Sequence, residues 1–246
     1  MASFPTTHWS LLAKASLDGN TEGRKALEEL CRRYWEPVHQ FIRCRGVPEA
    51  EAKDLTQDFM MHVLEKSVFS RADRLQGRFR SFLLGALVRF LADKADQRDA
   101  LKRGGGVQHV SLDSDEHAAN TQSDHAARAG TLVFDREWAL AILETALARV
   151  RREYGEARRE GEFDILKGFL PGGAEPPSYE AAAGQLGRSL PAFKSEVHRL
   201  RRRFRALVRE EVLQTVSAPH EIDAEMAHMQ QVLMDRGSDF GGARET

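Results

Sequence analysis

The chain has 246 residues, 41% of them apolar and 30% charged, and its 36 basic and 37 acidic side chains leave a formal charge of −1. That much apolar material can build one large core or two small ones and excludes wholesale disorder, while near-neutrality excludes a uniformly basic coat. Two cysteines, Cys31 and Cys44, are too few for a disulfide framework or a four-cysteine zinc site.

The first periodic segment spans about Thr21 to Arg45, where Leu27, Leu30, Cys31, Tyr34, Val38, Phe41 and Ile42 recur at helical spacing. Gly46, Val47 and Pro48 break it, and Pro48 suits the start of a second helix over roughly Glu49 to Lys66. That helix is expected to bury Leu55, Phe59 and Val63 and to expose Glu51, Asp54, Gln57 and Asp58. A third runs from near Gly77 to about Leu101, with Phe79, Phe82, Leu83, Ala86, Leu87, Phe90 and Leu91 in a wide apolar stripe. No segment has a period of two, so the expected fold class is all-α.

Residues 102–131 change character: three consecutive glycines and many small polar residues read as a flexible linker between two small helical domains. The expected organisation is 1–101, the linker 102–131, a second domain 132–216 and an acidic extension 217–246. Helical periodicity resumes from Leu132 to Tyr154, and a shorter helix from Phe163 to Leu170 stops at Pro171-Gly172-Gly173.

A compact unit follows. Ser178 caps a helix to Leu186, Gly187 supplies a turn, and Ser189 with Pro191 opens a second helix reaching about Val212. This is the pattern of a helix-turn-helix, with Ala182 and Ala183 allowing close crossing and Leu186, Val197 and Leu200 in the shared core. From Arg188 to Arg209 eight basic residues face one acid, Glu196, a net of +7 in a nearly neutral chain. Such a concentration is the footprint of a phosphate-binding surface. Ser217 to Thr246 holds six acids against two arginines, a net of −4, and Ile222, Met226, Met229, Val232 and Leu233 form a weak amphipathic stripe expected to pack as a short helix.

Taken in this order, these segments resemble a bacterial RNA polymerase sigma factor of the extracytoplasmic-function (ECF) group of the sigma-70 family. ALEELCRRYWEPVHQFIRCRG and EAEAKDLTQDFMMHVLEK look like the first two helices of the family's region 2, GRFRSFLLGALVRFLADKADQRDALKRGGG like its promoter-melting helix, and SYEAAAGQLGRSLPAFKSEVHRLRRRFRALV like the helix-turn-helix of its region 4. Ala183 stands where the family usually has Ile or Val, and Arg188 is an unusual turn residue. Thr7-His8-Trp9-Ser10 and the acidic extension are additions to the minimal pattern.

The resemblance implies that Asp54, Gln57 and Asp58 dock on the clamp helices of the polymerase largest subunit, with a further contact to the flap of the second subunit. Arg78, Arg80, Arg89, Lys94 and Arg98 are the implied minus-10 DNA residues. For the minus-35 element they are Lys194, Ser195 and His198 at base edges and Arg199, Arg201 and Arg202 chiefly at phosphates. Control would come from an anti-sigma factor or a Ser/Thr kinase, for which Thr56, between the docking residues, is the candidate phosphosite.

The rival class, an enzyme, finds no Gly-rich phosphate loop, no His-Glu-x-x-His and no Gly-x-Ser-x-Gly. No cofactor or metal is expected. With no apolar run of 18 residues and no basic-then-apolar start, the chain is expected to be cytoplasmic and to have no membrane partner. A helix-turn-helix regulator that binds DNA alone is the remaining alternative; only a sigma factor needs core polymerase for promoter-specific binding.

Overall fold

The computed structural model describes residues 21–65, 78–102, 116–171 and 176–235. The Thr7-His8-Trp9-Ser10 opening, residues 103–115 of the expected linker and residues 236–246 of the extension lie outside the described residues. Among those described there are eight α-helices and no strand: α1 Thr21–Arg43, α2 Glu49–Glu65, α3 Phe79–Lys102, α4 Glu116–Glu156, α5 Glu160–Leu166, α6 Tyr179–Gln185, α7 Leu190–Leu213 and α8 Ile222–Met234. Short 3-10 turns, Lys167–Phe169 and Pro219–Glu221, follow α5 and precede α8. The chain is all-α, and it divides into two compact units, Ile142–Leu213 and the remainder.

The first unit is built on α1, whose Leu30, Tyr34, Val38, Phe41 and Ile42 are buried at the spacing the sequence predicts. Gly46, at φ +81°, ends that helix, and the Arg43 guanidinium donates to the Val47 carbonyl at 2.6 Å, closing the turn into α2. Ring pairs tie the elements together: Tyr34 with Phe79 at 5.2 Å, Phe41 with Phe134 at 6.4 Å and Phe59 with Phe90 at 5.5 Å. At Gly130 a Cβ would stand 2.9 Å from the Phe41 ring, so the absence of a side chain lets α4 approach α1.

Two expectations change here. On α2 the buried face is Ala52, Thr56, Phe59, Met60 and Val63, while Leu55 is only half-buried. The helix is rotated so that the small Ala52 and Thr56 meet the core, where a leucine would stand α2 further off. The described part of the expected linker, residues 116–131, is the first portion of α4. Its composition, small and polar but alanine-rich and free of proline, is compatible with helix once Phe134 and Trp138 anchor the following turns.

The C-terminal extension joins this first unit. The Phe79 amide donates to the Thr215 carbonyl at 2.9 Å, and Ile222, Glu225, Met229 and Val232 form one buried stripe along α8. The short helix expected there is therefore present, and it is packed.

In the second unit, α7 buries Phe193, Val197, Leu200, Phe204, Leu207, Val208 and Val212, the positions of one helix face. Phe169, Tyr179 and Phe193 meet with ring centroids 4.7, 5.2 and 5.9 Å apart, joining the end of the 3-10 turn, α6 and α7. Ala182 and Ala183 are buried between α6 and α7, as their size allows. Leu186, expected in that core, is half-buried.

Candidate nucleic-acid interface

The geometry of α7 follows from how it starts. Ser178 Oγ accepts from the Ala181 amide at 3.1 Å and caps α6; Gly187, at φ +61°, turns the chain; Ser189 Oγ accepts from the Ala192 amide at 3.4 Å and opens α7. With Phe193, Val197 and Leu200 turned inward, Lys194, Ser195, His198, Arg199, Arg201 and Arg202 are all exposed. The six expected minus-35 residues thus share one solvent-facing side of one helix.

They are not equally free. Arg201 Nε donates to the Phe169 carbonyl at 2.8 Å, which fixes that side chain across the aromatic cluster. Lys194 Nζ stands 5.9 Å from the Tyr179 ring centroid. Arg199, Arg202 and Arg205 have no ion-pair partner among the described residues. Arg203, by contrast, is forked onto Glu153, its Nε 2.9 and 3.1 Å from the two carboxylate oxygens, and holds that carboxyl below its ordinary range.

Glu196, the one acid in this basic segment, is the residue sequence reasoning missed. It is buried, and its carboxylate meets both Arg159 and Arg188; Arg159 and Arg188 also reach Glu162 at 2.6 and 2.7 Å. This four-membered network joins α5, the turn and α7, so Arg188 locks the turn and is not part of a phosphate surface. The signal was present in the sequence as two oddities, an arginine in the turn and a single acid among eight bases.

In the first unit, Asp54, Gln57 and Asp58 are exposed on α2, on the side away from its buried stripe, and Met61 extends that surface with an apolar side chain 46% exposed. Asp58 is paired with Lys94 at 2.6 Å, and Glu51 with Arg98. Two expected DNA cations are therefore engaged by α2 carboxylates. Lys94 also lies over the Phe90 ring at 5.4 Å. Arg89 is exposed on α3.

Thr56 departs from its expected role. It is fully buried, and its hydroxyl donates to the Ala52 carbonyl at 2.7 Å, one turn back. A kinase has no access to it in this fold, and a phosphate there would sit in the core, so Thr56 is not a phosphosite.

Arg80 departs too. It is 6% exposed, with Nε 2.5 Å from one oxygen of Glu225, another nitrogen 2.7 Å from Asp135 and the guanidinium 5.3 Å from the Trp138 ring. Burial opposes its charge, but the bonds to Glu225 and the nearby Asp135 outweigh burial, and its proton is held more tightly than usual. His228 Nε2 lies 2.8 Å from the other Asp135 oxygen, and Arg78 Nε is 2.9 Å from Glu225. An arginine this deep cannot contact DNA while α8 is seated, because its guanidinium is buried against Glu225 and Asp135.

The family model described as ECF sigma factor matches residues 13–217. The chain belongs to the ECF sigma factor family. No curated protein and no solved structure matches it significantly. As an ECF sigma factor it directs RNA polymerase to promoters and initiates transcription, and its partners are the polymerase core and promoter DNA. No helix among the described residues is long and apolar enough to cross a membrane, and no group of three or more His, Cys, Asp or Glu there is arranged to hold a metal ion.

Proposed function

We propose that this sigma factor reads the minus-35 element with α7, its α6–α7 pair acting as the helix-turn-helix. Lys194, Ser195 and His198, near the start of the helix, face the base edges, and Arg199 and Arg202 take phosphates, joined by Arg205. Arg201 contributes from a fixed position through its remaining donors. The observation that carries this reading is the separation within α7: its apolar residues and its two arginine-paired acids, Glu196 and Glu211, are buried, and its unpaired cations lie on the exposed side.

The first unit supplies the other two contacts. Asp54, Gln57 and Asp58, with Met61 beside them, form a carboxylate-rimmed apolar patch suited to the basic clamp helices of the polymerase largest subunit. A contact of the second unit with the flap of the second subunit follows from the same family pattern. Arg89, Lys94 and Arg98, together with Arg78, are the minus-10 candidates that remain. Because Lys94 and Arg98 are held by Asp58 and Glu51, docking that recruits those carboxylates would release the two cations toward DNA. The protein works in the cytoplasm, where core polymerase supplies the chemistry of chain synthesis and this chain supplies recognition. An anti-sigma partner covering α2 or α7 would silence either function.

The test is transcription in vitro with core polymerase on the chain's own upstream region, alongside footprinting without core. Promoter-specific transcripts that require both proteins are expected. A footprint of equal specificity without core, and no transcript with it, would identify a stand-alone regulator instead.

A further inference from the structure

We propose that α8 is a displaceable plug, whose carboxylate occupies a pair of arginines that otherwise bind the phosphate backbone of single-stranded DNA. The inference rests on reading the start of α3 as part of the DNA surface. Three observations carry it. First, the family match ends at residue 217, and α8 begins at Ile222, so this helix is an addition to the domain that it covers. Second, Glu225 is fully buried and both its oxygens are taken, one by Arg80 at 2.5 Å and the other by Arg78 at 2.9 Å. Two guanidiniums on one anionic group is the arrangement that arginines also adopt around phosphate.

The third observation is energetic. A fully buried charge in the first turn of a thirteen-residue helix is an expensive way to attach it, since replacing a buried ion pair by apolar residues of similar volume is often neutral or stabilising. The buried apolar anchors of this helix are Ile222, Met229 and Val232 alone. With α8 seated, Arg78, Arg80, Asp135 and Glu225 balance to no net charge; with it lifted, two cations face the single carboxylate of Asp135. His228, which sits on Asp135, leaves with the helix. The segment feeding α8 is closed on itself, for Glu221 accepts from the Ser217 and Ala218 amides and the Ser217 hydroxyl. The helix can therefore move as one piece about that turn.

The experiment uses the full chain without polymerase and a fluorescein-labelled single-stranded oligonucleotide, read by anisotropy over a salt series. Two variants loosen α8 by different means: Glu225→Gln removes the charge, and Met229→Asp with Val232→Asp removes the anchor. Both are expected to bind about tenfold more tightly than the parent chain, with a salt slope steeper by roughly 0.7 for each phosphate gained. Arg78→Ala added to either should abolish the gain. Unchanged or weaker binding with helical content retained overturns the plug, and so does a gain that survives Arg78→Ala. Loss of helical content in both variants also overturns it, since α8 would then be a fixed part of the core. Transcription by the parent chain with core polymerase is measured in parallel: its absence would sink the underlying promoter-binding reading, whereas its presence beside a failed affinity result would sink the plug alone.

Discussion

Arg80 on α3 and Arg202 on α7 are the same side chain on the same kind of helix, in two units of one molecule. The first is buried between two carboxylates; the second is exposed and has no acidic partner among the described residues. The difference is made by residues far away in the chain, 55 positions for Asp135 and 145 for Glu225. A count of basic residues reports charge, and the partners that the fold brings to each one decide whether that charge is available. The same contrast recurs within α7, where Arg203 is spent on Glu153 and Arg199 is not.

The largest effect should come from breaking the buried side of this comparison. Arg80→Ala leaves buried Glu225 with Arg78 alone and buried Asp135 with His228 alone, and is expected to cost about 3–5 kcal/mol. Thermal unfolding followed by circular dichroism checks it; a change below about 1 kcal/mol would mean that water reaches the cluster. Next is Glu196→Ala, which strips Arg159 and Arg188 of a shared partner. Both arginines keep Glu162 and are about a third exposed, so about 1–3 kcal/mol is expected. This variant should also weaken minus-35 binding, because the turn that aims α7 loosens.

Ser178→Ala removes the cap of α6 and should cost about 1 kcal/mol in the same measurement. Acid stability sharpens the comparison from another side. Glu153, Glu162 and Glu221 are held below the ordinary carboxylate range, first by their bonds to Arg203, Arg159 and Ser217 respectively. Each binds its proton more weakly in the folded chain than in the unfolded one. Their stabilisation is therefore fully present above about pH 4.3, the unfolded glutamate value, and lost as pH falls through the lower folded values. Melting temperature measured from neutral pH down to strong acid should fall in that window, and Glu153→Gln should make the fall shallower.

The smallest effect on stability belongs to the exposed side. Arg202→Ala should change unfolding free energy by no more than about 0.5 kcal/mol, while its promoter binding loses about 0.9 from the salt slope. A stability loss comparable to that of Arg80→Ala would erase the distinction between the two arginines.

Local periodicity carried most of the helical architecture. The stripes of α1, α3 and α7 were readable because one apolar face per helix is a chemical necessity in water, and the caps at Ser178 and Ser189 are local hydrogen bonds. Local spacing failed where neighbouring residues did not determine the outcome. Leu55 gave up its place to Thr56 because the rotation of α2 depends on how closely α2 can pack against its neighbours. Residues 116–131 looked like a linker because their side chains lack bulk, yet backbone hydrogen bonding propagates through an alanine-rich segment without needing large ones.

The sequence by itself determined the all-α class, the family, the turn at Gly187 and the concentration of cations on α7, all of which rest on short-range spacing. Only the tertiary structure decided which charges are spent and which remain. Arg80 with Glu225, Arg188 with Glu196 and Lys94 with Asp58 pair across different elements. No spacing rule along one helix can foresee such partners, because the Coulomb energy of a pair depends on distance and burial in space and not on separation along the chain.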